Sequence, residues 1–107
     1  MKKYLLVVGL FIALACQQGL NSLPTLFSLS KKLKEVSGII YVPTTKLLWT
    51  LEDHGNANAI YGIDSNGKID RTITVDNAEN IDWEDITKDK LGNLYIGDFG
   101  NNENRRK

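Results

Sequence analysis

Apolar and polar residues change their rhythm three times along this chain. Residues 4–15 form an unbroken apolar run, introduced by Lys2 and Lys3. A polar stretch with Gln17, Gln18, Asn21 and Ser22 follows. Residues 23–34 carry Leu23, Leu26, Phe27, Leu29 and Leu33, a spacing that fits a short amphipathic helix or an edge strand. From Ser37 onward the pattern is that of short strands. Apolar or alternating runs at 38–42, 47–51, 59–64 and 68–75 predict four of them. The first is stopped by Pro43. Asn66-Gly67 lies between the third and fourth, and Asn-Gly between strand runs predicts a tight hairpin whose central residues both take positive φ. Two more strands are expected at 81–87 and 93–97, joined by Asp89-Lys90-Leu91-Gly92. The expected class is all-β, with four strands in a meander followed by the start of a second set.

The N-terminal run is a leader by design. Twelve helical residues rise about 18 Å against a hydrocarbon core of roughly 30 Å, too short for a stable span. A basic start, an apolar middle and small residues at the end describe a secretory signal peptide over residues 1–15. The run closes on Ala13-Leu14-Ala15-Cys16, which resembles the bacterial lipobox, with Ala13 where leucine is usual. That resemblance implies lipidation of Cys16 by diacyl and N-acyl chains such as palmitate, and attachment to a membrane facing the periplasm or exterior. Each buried methylene of such chains contributes about 0.8 kcal/mol. The alternative is an ordinary signal peptide cut near Ala15, leaving Cys16 as a free thiol. Cys16 is the chain's one cysteine, which excludes an intramolecular disulfide and a multi-cysteine zinc site. Residues 16–34 then read as tether and transition.

Composition sharpens this picture. The chain of 107 residues carries 13 basic and 13 acidic side chains, so nothing in its balance points to nucleic acid. The charge is unevenly placed, however. Residues 52–98 hold eleven acids and four bases, a net of −7. Aromatic and β-branched residues are interleaved with these acids, which suits a folded acidic surface or a cation site.

The strand sets also repeat. Asp53-His54-Gly55-Asn56 recurs as Asp98-Phe99-Gly100-Asn101, 45 residues later. Leu48-Trp49 recurs as Leu94-Tyr95 after 46, and Ile39 as Ile86 after 47. A period near 45 with four strands per unit is the signature of a β-propeller blade. One blade spans about 35–76 and a second begins at about 80–107. A closed propeller needs at least four blades, so the pattern predicts that these residues are part of a longer protein.

Several runs resemble a known group. These are Glu35-Val36-Ser37-Gly38-Ile39, Ile60-Tyr61-Gly62-Ile63-Asp64, Asp82-Trp83-Glu84-Asp85-Ile86 and Gly97-Asp98-Phe99-Gly100-Asn101-Asn102. They look like the N-terminal part of secreted bacterial six-bladed propellers of the TolB-like, NHL and SdiA-regulated types. The resemblance implies the fold and no settled activity.

Candidate chemistry is acidic. Asp82, Glu84 and Asp85 stand together at the start of an expected inner strand, and Asp53 and Asp98 fall at matching places beside Gly-Asn pairs. With Asn101 they offer the hard oxygens that Ca²⁺ prefers. The plainer reading is that these residues cap turns through local backbone hydrogen bonds. Asp64-Ser65-Asn66-Gly67 lacks the full calcium-loop spacing and reads as a turn. His54, the one histidine, has no nucleophile beside it in sequence and reads as a loop residue. Trp49, Trp83 and Tyr95 suit packing between blades, or else a sugar-stacking surface. Arg105-Arg106-Lys107 reads as a short basic end. Three functions are consistent with this: a lipoprotein scaffold binding a ligand or envelope protein, with or without calcium; a calcium-dependent phosphoesterase-like hydrolase of which this is a fragment; and a truncated remnant.

Overall fold

All six expected strands form. A computed structural model of the chain describes residues 24–107, so the expected leader and Cys16 lie outside the described residues. The strands are β1 (Val36–Val42), β2 (Leu47–Glu52), β3 (Ala59–Ile63), β4 (Ile69–Thr74), β5 (Trp83–Lys88) and β6 (Leu94–Asp98). β1 to β4 make one antiparallel sheet in sequence order, and β5 and β6 make a second. Among the described residues there is no helix, hence none long and apolar enough to cross a membrane.

Residues 24–34 correct one expectation. They form neither a helix nor an edge strand. Leu26 is 88% exposed while Leu33 is buried, so the leucine spacing marks no common buried face. Hydroxyl-bearing Ser28 and Ser30 also favour local backbone bonds over a helix, and Leu33 N–H closes a turn onto the Ser30 carbonyl at 3.0 Å. The segment is a strap laid over the β3–β4 turn.

That turn corrects a second expectation. Gly67 alone takes positive φ, at 79°, and Asn66 does not. Asp64 and Lys68 close the loop, with the Asp64 N–H bonded to the Lys68 carbonyl at 2.9 Å and the Gly67 N–H to the Asp64 carbonyl at 3.1 Å. This is the three-residue hairpin ending on a left-handed glycine. Asp64 Oδ1 accepts the N–H groups of Asn66 and Lys68, which is why an aspartate opens it. Those bonds, the Lys68 N–H first, hold the Asp64 carboxyl below its usual range. Asp89 opens the β5–β6 hairpin in the same way, accepting from Leu91 and Asn93.

The two sheets share one core. Val42, Leu47, Trp49, Leu51, Ile60, Trp83 and Ile86 form a single buried cluster drawn from β1, β2, β3 and β5. β2 is its centre, with Thr50 and Leu51 fully buried. β5 lies against β1 and β2. The approach is close enough to require a glycine: a Cβ on Gly38 would stand 2.8 Å from Asp85 Cα and from Ile86 N. Ser37 Oγ donates to the Trp83 carbonyl at 2.8 Å, and Thr50 Oγ1 to the Gly38 carbonyl at 2.6 Å. Trp49 and Trp83 are 3% and 2% exposed and therefore serve packing, which removes both from any sugar-stacking surface.

The repeat is visible in the hydrogen-bond register. In the first hairpin Val36 pairs Glu52, a bulge follows, and Gly38 pairs Leu51. In the second, Trp83 pairs Asp98, a bulge follows, and Asp85 pairs Gly97. Ile39 faces Thr50 as Ile86 faces Ile96, and Trp49 stands opposite Ile40 as Tyr95 stands opposite Thr87. The two hairpins have the same register, including the bulge.

Candidate functional site

The matched register shifts one pairing made on sequence. Asp98 occupies the place of Glu52, the residue opposite the bulge, and not that of Asp53. Motif matching aligned Asp53 with Asp98 because the loop after β2 differs by one residue from the loop after β6.

The loops at this end of the sheets gather polar groups around Asp82. This residue precedes β5 and is 7% exposed. Its N–H donates to Asp98 Oδ1 at 3.0 Å, and its carbonyl accepts the Gly100 N–H at 3.1 Å. The carboxylate lies against the backbone of Gly100, where a Cβ would fall 2.2 Å from Asp82 Cγ. Asp82 Oδ1 is buried and has no hydrogen-bond partner among the described residues. An unpaired buried carboxylate oxygen is costly and calls for a donor or a cation.

The structure brings Asp82, Asp98 and Asn101 together and adds Arg106 to them. The Arg106 guanidinium bonds both the carbonyl and the carboxylate of Asp98, and the Arg106 backbone N–H donates to Asn101 Oδ1 at 3.0 Å. Arg106 is thus a structural cation and more than a basic end. Asp53 sits beside this group. Asn80 links them, its amide donating to the Glu52 and Asp53 carbonyls at 2.9 Å while its Oδ1 accepts the Trp83 N–H at 3.1 Å. Asp53 Oδ1 is taken by Asn56 at 3.3 Å. Glu84 falls at the β5 bulge and is partly buried, and Asp85 is exposed with its Oδ1 on the Ile86 N–H at 2.8 Å. Among the described residues, no three acidic, histidine or cysteine side chains are grouped as a preformed metal cage. Asp82, Asp98 and Asn101 present oxygens of the hard type that Ca²⁺ takes; those of Asp98 and Asn101 already accept from Arg106, and Asp82 Oδ1 alone is left without a partner among the described residues.

His54 joins the same region from the β2 side. Its Nδ1–H donates to the Ile81 carbonyl at 2.5 Å, although the residue is exposed. That acceptor raises the imidazole above its usual 6.5, partial desolvation opposes it, and Asp82, Glu103 and Asp53 add to the rise. A folded-state pKa above the unfolded value means the bridge stabilises fully below pH 6.5 and loses this contribution as pH rises through the folded value. A ring-proton titration by NMR is expected to place the midpoint above 6.5, and His54→Gln to flatten the fall in thermal midpoint above neutral pH. A midpoint at or below 6.5 would remove the bridge from this account. His54 and Ile81 border two adjoining depressions, of about 490 and 430 Å³, the second reaching Arg106.

Asn80, Glu52 and Arg106 carried no sequence signal, because the first two act across 17 to 28 residues and the third by a contact that only the folded loops create. Tyr95 is 53% exposed and donates to Asp89 Oδ2 at 3.0 Å, a bond that raises the phenol above its usual range. Comparison with family models, curated proteins and solved structures finds no match to this chain.

Proposed function

We propose that this chain is a lipid-anchored protein of the bacterial cell envelope whose two sheets are successive β-propeller blades, serving as a binding scaffold for a ligand or an envelope protein with calcium assistance. The observation that carries this reading is the repeated hairpin. Two hairpins with one register and one shared bulge lie in contact through β1 and β5 and enclose a common core. Stacked copies of one unit that bury each other's faces are the physical basis of blade architecture. Lys2, Lys3, the apolar run 4–15 and Cys16 support the anchor. The unpaired Asp82 Oδ1 supports the cation, with Asp98 and Asn101 as the further oxygens that would hold it. When bound, calcium supplies the positive charge that neutralises Asp82. Arg106 already does this for Asp98.

The test uses the full chain expressed in bacterial cells, with Cys16→Ser and Asp82→Asn variants. Wild-type protein is expected in the detergent phase of membrane extracts and labelled by a palmitate analogue, with Cys16→Ser in the aqueous phase and unlabelled. Calcium is expected to raise the thermal midpoint of wild type and not of Asp82→Asn. Equal partition of wild type and Cys16→Ser would overturn the anchor, and an absent calcium shift in wild type would overturn the cation.

A further inference from the structure

The strap formed by residues 28–33 closes a third depression, of opposite charge. It lies between the strap and the β3–β4 hairpin and has a volume of about 540 Å³. Lys32 and Lys68 line it, with the hydroxyls of Ser28, Ser30 and Thr72 and the amide of Asn66. No carboxylate lines it. That is unexpected in a chain whose residues 52–98 carry a net charge of −7. Ion pairs among the described residues engage only Arg71, Arg105 and Arg106, so neither lysine is in one, although Asp64, which accepts the Lys68 N–H, also feels the Lys68 charge from outside the lining.

The walls are held in place. Gly67 at φ 79° lets the strap cross the turn, since a Cβ there would lie 2.2 Å from the Ser28 carbonyl oxygen and 2.8 Å from the Phe27 ring. Leu33 is buried and anchors the other end of the strap. Two ammonium groups outside any ion pair and several hydroxyl and amide donors, with no acid in the lining itself, are what a phosphate oxyanion needs.

We propose that this cavity binds a phosphate-bearing anion. It is a site distinct from the Asp82 cluster and needs neither the leader nor a cation. The same chemistry is offered by a soluble phosphate and by the headgroup of an anionic lipid, and the experiment separates them.

Inorganic phosphate is titrated into the full chain while backbone amides are followed by NMR, and the same protein is floated with phosphatidylglycerol or phosphatidylcholine vesicles. Saturable shifts at Gly67 and Lys68 are expected. The double variant K32Q/K68Q is expected to bind about tenfold more weakly or worse, as loss of two charged hydrogen-bond donors implies. K32Q and K68Q alone are expected to fall between, a graded loss that an unfolded double variant cannot imitate, and K90Q to bind as wild type. Flotation with phosphatidylglycerol that phosphate competes away assigns a lipid headgroup, and phosphate shifts without flotation assign a soluble anion. The proposal is overturned if neither probe gives saturable binding, or if K32Q/K68Q binds as tightly as wild type.

Discussion

Trp83→Ala is expected to remove about 3–5 kcal/mol of stability, the range for truncating a buried aromatic. Trp83 is 2% exposed and is the largest fully buried side chain of the chain's described part. It begins β5 and sits in the cluster that both sheets share, with Trp49, Leu51 and Ile86. Its removal leaves a cavity at the junction, and two backbone bonds that position it lose their purpose: Asn80 Oδ1 to its N–H and Ser37 Oγ to its carbonyl. Small domains are stable by only about 5–15 kcal/mol, so the loss is a large part of the whole. Urea unfolding followed by fluorescence of Trp49 measures it. Tyr95→Ala, at a half-exposed strand position, is the comparison and is expected to cost under about 1 kcal/mol. Equal midpoints for the two variants would show that the shared core does not hold the sheets.

Gly38→Val is expected to part the two sheets while leaving the first one paired. The conflict arises at backbone: even a methyl at this position meets Asp85 Cα and Ile86 N at 2.8 Å. Neither atom can rotate away, so β5 must move. A shift costs about 1–3 kcal/mol for overpacking and more once the Ser37 bond to Trp83 breaks. β2 and β3 keep their own pairing, because Gly38 lies on β1. Hydrogen exchange separates the two parts. Amides of residues 94–98 are expected to lose protection and those of 60–63 to keep it, a sub-global opening of the second sheet. Unchanged protection at 94–98 would sink the argument that close approach at Gly38 couples the sheets. Gly38→Ala is expected to show the same effect at smaller size.

Both predictions concern the junction, which is the part of the fold that no local pattern announced. Strands were legible because alternation of apolar and polar side chains is a property of neighbouring residues. The turns were legible for the same reason, down to the aspartates at 64 and 89, although the count of positive-φ residues was not. One glycine suffices when the aspartate before it supplies the remaining bonds, as Asp64 does. The repeat was legible in Ile39, Leu48 and Trp49 and their partners, and the register reproduces it with a bulge that sequence did not indicate. The strap of residues 24–34 was misread because its leucines serve different neighbours, or none, so that a periodicity argument had no single face to find. At the site, carboxylates were found by type, but their grouping followed loop geometry. Asp82, Asp98 and Asn101 met, Asp85 went to solvent, and Arg106 closed onto Asp98 from eight residues away.

What the amino-acid order determined by itself is therefore the all-β class, the six strands and the hairpin that occurs twice. These follow from steric and hydrogen-bonding preferences acting within a few residues. The tertiary structure alone decided which faces meet, why Gly38 must be glycine, which carboxylate oxygen is left unpaired and where two lysines share a cavity free of acids. Those outcomes depend on distances between segments far apart in sequence, and such distances exist only once the sheets have packed.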